Sequence, residues 1–241
     1  MTLLFTHEDR EYLLSPGERF GTDLGVLEVP EDVTHGDTVE THLGTEFSVR
    51  RLRGPDLFHH LERTGAPMLP RDIGLVVGHA GIQRGDHVLD AGTGTGVLAV
   101  TLGRLGATVE SYERDPEFAS VARDNVELAG VTDSVTVHTG DVTDHLDGHS
   151  GLDAVTLDTE DAPAVVVETP DLLAPGGSVA AYSPFVEDAR EVAEEARGTG
   201  LDSVRTLETI QREMEFGERG SRPSTAGVGH TGFLTIGRHT A

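Results

Sequence analysis

Three glycines at every second position, Gly92, Gly94 and Gly96, follow directly on an apolar run in "VLDAGTGTGVLAV", residues 88–100. A turn that bare lets a ligand reach the main chain with no Cβ in the way. Carboxylates recur at similar places further along. Glu113 closes "TVESYE", Asp141 sits in "TGDV" and Asp158 closes "LDAVTLD". The runs are short and rich in Val, Leu and Thr, so each acid is expected at a strand end. A carboxylate at Glu113 can accept both hydroxyls of a ribose, and one at Asp141 can accept from an adenine amino group. Spacing then separates nucleotide classes. A dinucleotide turn reads G-x-G-x-x-G, which would put its third glycine where Val97 stands. The pattern here is G-x-G-x-G, and no basic residue near the turn could serve as a phosphate-loop lysine. The constellation suits an adenosine with a cationic tail and no phosphate.

The elements that must carry these residues alternate. A helix over 72–81 ends at glycine. Strand 87–91 leads through the glycines to a helix over 95–105. Strand 108–113 leads to a helix over 116–129, stopped by Gly130. Strands are expected at 135–142 and 152–159, and a helix from Pro163 to Leu173. A strand at 176–184 precedes a helix over 186–200, which puts Val186, Ala189, Val192, Ala193 and Ala196 on one face. Strands at 204–216 and 230–238 have no helix between them, which predicts an antiparallel hairpin at one edge. Alternating β and α predicts a mostly parallel sheet covered by helices on both sides. Residues 1–62 differ. "EYLL", "VLEV", "TVETHL" and "EFSVRRL" read as short strands between glycine turns, a small β unit of the barrel type. The chain therefore divides into a β-rich unit over 1–66 and a ligand-binding α/β domain over 67–241.

Composition narrows the setting. The chain has 241 residues, enough for a core without staples, and no cysteine, so there is no disulfide framework or thiolate metal site. The N-terminus lacks the basic start of a secretory leader, and no run approaches a membrane span, so a cytoplasmic protein is expected. The net charge is −24, and all 18 basic residues are arginine. The acids are scattered, as on the solvated surface of a protein from a hypersaline cytoplasm. Against that background residues 48–72 hold five arginines and three acids, which suggests an anionic partner. The 12 histidines are dispersed, only His59 and His60 being adjacent, so no metal site is expected.

"VLDAGTGTG", "SYERDPEFASVARDN", "GDV" and the closing strand pair resemble a class I S-adenosylmethionine-dependent methyltransferase. "MLPRD" (68–72), "RPSTAGVGHTGFL" (222–234) and the small β unit narrow the resemblance to the TrmI-type archaeal and bacterial tRNA (adenine-N1)-methyltransferases, which act at T-loop positions 57 and 58. The resemblance implies an α/β fold: a Rossmann-like, mostly parallel seven-stranded sheet with a terminal antiparallel hairpin, plus a small N-terminal β domain for tRNA contact and assembly. It implies S-adenosyl-L-methionine held by Gly92, Gly94, Thr95, Gly96, Val97, Glu113, Asp141, Val142 and Asp158, with Asp158 also catalytic. tRNA contacts are expected from Arg50, Arg51, Arg53, Arg71, Arg219, Arg222 and His230. Family members are typically homotetramers, so the same is expected here. The chain departs from the family at two points: the segment after Asp158 reads "TEDAP" and lacks the family's first proline and tryptophan, and Leu69 replaces a tyrosine. Fold alone leaves open an isoaspartyl-protein or corrin-ring methyltransferase. A non-catalytic RNA-binding subunit is the other alternative, against which the intact glycine turn and its acids argue.

Overall fold

Six short strands open the chain in the computed structural model, which describes residues 2–227 and 229–240. They are β1 (Leu3–His7), β2 (Arg10–Leu14), β3 (Arg19–Thr22), β4 (Gly25–Glu28), β5 (Thr38–Glu40) and β6 (Glu46–Arg51). The antiparallel order is β2-β1-β6-β5, with β3 and β4 as a ribbon bridged to it at Leu27 and Thr41. Side chains alternate along β1: Leu3 and Phe5 pack with Phe47 and Val49 in a local core, while Leu4 points the other way, into the main core. Sequence periodicity alone does not find β1 and β3. Too few residues alternate in "LLFTH" and "RFGT" for the period to show.

The remaining elements are α1 (Gly54–His60), α2 (Pro70–Ala80), β7 (His87–Ala91), α3 (Val97–Leu105), β8 (Thr108–Glu113), α4 (Pro116–Ala129), β9 (Val135–Thr139), β10 (Leu152–Leu157), α5 (Ala162–Leu172), β11 (Leu173–Ser183), α6 (Val186–Gly198), β12 (Asp202–Glu208), β13 (Met214–Gly217), β14 (Gly220–Pro223) and β15 (Phe233–Arg238). Local chemistry sets their ends. The Asp115 side chain accepts from the amides of Glu117 and Phe118, Pro116 occupies the first turn, and Gly130 at φ 67° closes α4. Helix α3 starts two residues later than expected, because Gly96 takes a left-handed cap at φ 79°.

Seven strands form one sheet in the order β12-β15-β11-β10-β7-β8-β9. β11, β10, β7, β8 and β9 are parallel, and β15 runs antiparallel to both β11 and β12. Alternate residues divide between two cores. Val88, Ala154 and Ala180 face α2, α3 and α4, while Leu89, Val155 and Val179 face α5 and α6.

The terminal strands form the expected antiparallel pair at one edge of the sheet, with β15 against β11 and β12 outermost. Two expectations are corrected. The expected strand over 204–216 stops at Glu208, and the connection to β15 carries its own hairpin, β13 with β14. The third strand of the domain stops at Thr139, not 142, because Asp141 caps a single 3₁₀ turn over Val142–Asp144 through the Thr143 amide. The chain steps outward from β7 to β8 and β9, then returns to the other side of β7 as β10. Ligands in such sheets bind at this reversal, beyond the carboxyl ends of the strands.

Candidate functional site

At that reversal lies a cleft of about 430 Å³. Its floor is the glycine turn after β7. The amides of Gly92 and Thr93 donate to the Tyr112 carbonyl at 3.0 and 3.3 Å, and Gly96 donates to Thr93 at 2.7 Å, so the turn is fixed to β8 and to itself. Gly92, at φ 86°, cannot be replaced without collision: a Cβ there would lie 2.0 Å from the Asp158 carbonyl oxygen. A Cβ on Gly94 would meet nothing nearer than 3.9 Å, so the main chain at Gly94 is bare toward open space. Thr95, Val97 and Val142 are buried and line the same cleft.

The carboxylates converge. Glu113 Oε2 accepts the Gly94 amide at 2.8 Å and Oε1 accepts the Asp115 amide at 3.0 Å, which aims the group along the cleft wall. Asp141 Oδ1 accepts from the Thr143 amide and hydroxyl, at 2.9 and 2.7 Å, and these bonds hold its carboxyl below the usual range. Asp158 follows β10, with its amide on the Ala91 carbonyl at 2.8 Å. The residue keeps a partly exposed edge on the cleft, but its carboxyl is crowded by protein. Burial first, and the Asp90 charge second, push that carboxyl up to about 7.

Sequence reasoning overlooked what supports these groups. Asp90 is buried, accepting from Ser111 and Thr156 hydroxyls, each at 2.6 Å, and Ser111 in turn pairs with Thr93 at 2.6 Å. Desolvation raises the Asp90 carboxyl. Four residues from three strands and the turn thus form one polar knot beneath the cleft. A Ser and two Thr in otherwise apolar surroundings were the available signal. Thr64–Met68, ahead of α2, also line the cleft.

Two stretches singled out separately in the sequence meet in the fold. Arg71 and Asp72 of "MLPRD" hold the closing segment: Arg71 donates to the Gly229 carbonyl at 2.9 Å and the Thr231 hydroxyl at 3.1 Å, and Thr231 donates to Asp72 at 2.8 Å. The Arg71 side chain is only 9% exposed, so it positions this segment and presents no open cationic surface. Arg50 forms a bidentate pair with Asp56 at 2.6 and 2.8 Å. Arg51 and Arg53 are exposed beside it. Arg219 and Arg222 lie on the β13–β14 hairpin, away from this group in the chain, with Arg222 paired to Glu215. His230 pairs with Glu208 at 3.2 Å. Among the described residues no three His, Asp or Glu are grouped to hold a metal ion, and no helix is long and apolar enough to cross a membrane.

Comparison with known proteins gives findings of three kinds: a family, relatives and solved structures. Residues 58–220 match a family described as tRNA methyltransferase complex GCD14 subunit. The chain is 32% identical, over 98% of its length and 94% of the relative's, to tRNA (adenine(57)-N(1)/adenine(58)-N(1))-methyltransferase TrmI of Methanocaldococcus jannaschii. It is 30% identical, over 96% and 94%, to tRNA (adenine(58)-N(1))-methyltransferase TrmI of Thermus thermophilus. In fold it is similar to tRNA (m1A58) methyltransferase TrmI of Aquifex aeolicus, with a TM-score of 0.74, 20% identity and coverage of 100% and 97%. A SAM-dependent O-methyltransferase of Thermotoga maritima superposes with a TM-score of 0.78 at 22% identity, over 100% and 93%.

Proposed function

We infer the function of this chain from its membership of the GCD14/TrmI family of tRNA methyltransferases, to which it belongs. It is an S-adenosylmethionine-dependent tRNA (adenine-N1)-methyltransferase. Position 58 of the T-loop is its target. The reading extends to adenine 57, which the name of the 32% identical archaeal relative includes. The observation that carries the mechanism is Asp158, a carboxyl held near neutrality inside the cleft that also contains the glycine turn and Glu113.

The residues fit the methyl donor. Gly94 offers bare main chain toward open space, Glu113 is aimed along the wall, and Val97 and Val142 give apolar surface. Arg114 at the mouth pairs with Glu160 and Asp161, so the lining holds no unopposed cation to repel a sulfonium. S-adenosylmethionine supplies an activated methyl group on that sulfonium. Glu113 accepts ribose hydroxyls, and Asp141 accepts from the adenine amino group. Asp158 faces the target adenine, stabilises the positive charge that N1-methylation places on the ring, and accepts the N6 proton. N1 lies on the Watson–Crick edge, so the target base must be unpaired and swung out of the stack. Replacing Glu113 by alanine removes a charge-assisted acceptor. The dissociation constant for S-adenosylmethionine should rise by the equivalent of about 1.5–3 kcal/mol in calorimetry; unchanged affinity would remove Glu113 from the ribose site.

tRNA docks, in this reading, on residues 1–66, ahead of the cofactor domain over 67–241, and on the β13–β14 hairpin within that domain. Arg50 is neutralised by Asp56 and Arg71 is buried, so Arg51, Arg53 and Arg219 carry the phosphate contacts, and Arg222 and His230, paired with Glu215 and Glu208, contribute less. Changing Arg51 and Arg53 together to serine should raise KM for tRNA and lower the slope of log affinity against log salt by about 0.7–0.9 for each phosphate that is no longer neutralised. Affinity for the methyl donor should stay constant. A normal KM and slope would transfer the docking role to the hairpin. The −24 charge and the absence of lysine support a hypersaline cytoplasm as the setting. The family resemblance supports a homotetramer, which light scattering would test. The activity itself is tested by incubating the protein with unmodified tRNA and S-adenosylmethionine in high salt. Reverse-transcription stops at 58, or at 57 and 58, are expected; methylation of an isoaspartyl peptide instead would overturn the reading.

A further inference from the structure

Asn125 stands on α4, one turn from its end, and is 2% exposed. Nothing in the chemistry above uses it. Its side chain bridges two separate segments. Oδ1 accepts the Glu62 amide at 3.0 Å, and Nδ2 donates to the Glu62 carbonyl at 2.9 Å and to the Thr95 carbonyl at 2.8 Å. Both hydrogens of the amide are engaged, and the side chain pairs with Glu62 as a neighbouring strand would. A second link runs beside it, from the Thr64 amide to the Thr95 hydroxyl at 3.3 Å.

The consequence lies in what Glu62 belongs to. Leu61 and Met68 are buried in the main core, and the chain between them passes over the glycine turn as a strap. Thr64–Met68 of this strap line the cleft together with Glu113 and Asp141. The Thr64 hydroxyl comes within 3.9 Å of where a Cβ on Gly94 would stand. Pinned only at its two apolar ends, a segment of this length with Gly65 at φ 149° could lift. Asn125 fastens it at Glu62, the first residue past Leu61, to Thr95 of the turn itself, and the Thr64 bond to Thr95 continues that fastening two residues on.

We propose that Asn125 is a positioning residue, which holds the 62–67 strap closed over the S-adenosylmethionine cleft and thereby limits escape of the bound methyl donor. The proposal rests on the assignment of that cleft to S-adenosylmethionine. Without Asn125 the Glu62 amide and carbonyl and the buried Thr95 carbonyl lose their partner, and the strap relieves this by moving out to water.

The test uses the full chain as wild type, Asn125→Ala and Asn125→Ser; the serine hydroxyl is too short to bridge both segments. Calorimetry with S-adenosylmethionine and stopped-flow dissociation are read beside hydrogen exchange of the ligand-free proteins. For both variants the dissociation constant should rise about tenfold or more, mainly through faster release. The Glu62 and Thr64 amides should lose protection, while those of β7, β8 and α4 retain it. A role in global stability alone would lower protection everywhere and leave the affinity of the folded fraction unchanged, which overturns the proposal. If neither variant folds, the wild type decides: its Glu62 amide should exchange far more slowly than an unstructured amide, and exchange at the unstructured rate overturns the proposal. Wild-type protein that fails to bind S-adenosylmethionine would instead refute the cofactor assignment and leave the pinned strap intact.

Discussion

Replacing Asp158 by alanine should cut methyl transfer to tRNA by about two orders of magnitude or more, the range for losing a positioned acid–base or electrostatic group. Binding of S-adenosylmethionine should change far less. If turnover holds while donor affinity collapses, Asp158 holds the cofactor and the proton acceptor is elsewhere. The raised carboxyl adds a pH signature. With its midpoint at about 7, Asp158 is neutral below that pH and an acceptor above it. The single-turnover rate should therefore climb as pH rises through about 7, and a bound cation in the cleft should pull this limb lower. Asp158→Asn should lose the limb. Stability gives an independent reading of the same shift. The unfolded chain ionises this group in the ordinary carboxyl range near 3.8, whereas the folded protein resists ionisation until about 7. Folding is therefore penalised progressively between those values and fully above them. Asp158→Asn should melt above wild type at pH 8, with the gap closing toward pH 4. A constant gap would mean that Asp158 is not desolvated as described.

Gly92→Ala should disable the enzyme for a different reason than Gly94→Ala. At Gly92 the new Cβ would lie 2.0 Å from the Asp158 carbonyl oxygen and 2.6 Å from its carbon, at φ 86°. Both colliding groups are main chain, so no rotamer relieves the overlap. The left-handed conformation adds about 1–2 kcal/mol. Either β7 and β10 separate at their carboxyl ends or the Asp158 segment shifts, and turnover should fall by at least about 100-fold, since misplacement by an ångström can cost that much. The melting temperature should fall with it. At Gly94 the space is open and φ is 52°, ordinary for a left-handed residue. Gly94→Ala carries the same left-handed cost of about 1–2 kcal/mol without the collision, so it should fold with a melting temperature only a few degrees below wild type and still bind S-adenosylmethionine poorly, because its Cβ occupies space reserved for the ligand. Normal affinity in the folded Gly94→Ala protein would show that the donor does not approach the turn there. Wild-type activity in Gly92→Ala would refute the close packing of the turn against Asp158.

The site was legible in the sequence where chemistry is local. A glycine turn after an apolar run, and acids closing the strands beside it, follow from short stretches read in order. So do the ends of α4, whose cap Asp115 and stop Gly130 lie within its own neighbourhood. The resemblance then added the substrate class, because the "HTGFL" tail is far more specific than the turn. What the sequence could not show depends on pairing across long separations. Nothing in residues 230–238 states that they enter between β11 and β12, since hydrogen-bonding edges carry no residue signature. The burial of Arg71 needed Gly229 and Thr231, and the neutralisation of Arg50 needed the fold of α1 to present Asp56. Asp90 reads as one acid among many until Ser111 and Thr156 arrive from strands on either side. Asn125 reads as a helix-surface residue until Glu62 is laid against it. Local periodicity and capping are written in neighbouring residues. Desolvation and the partners of buried polar groups are properties of the space that distant residues enclose, and only the tertiary structure decides them.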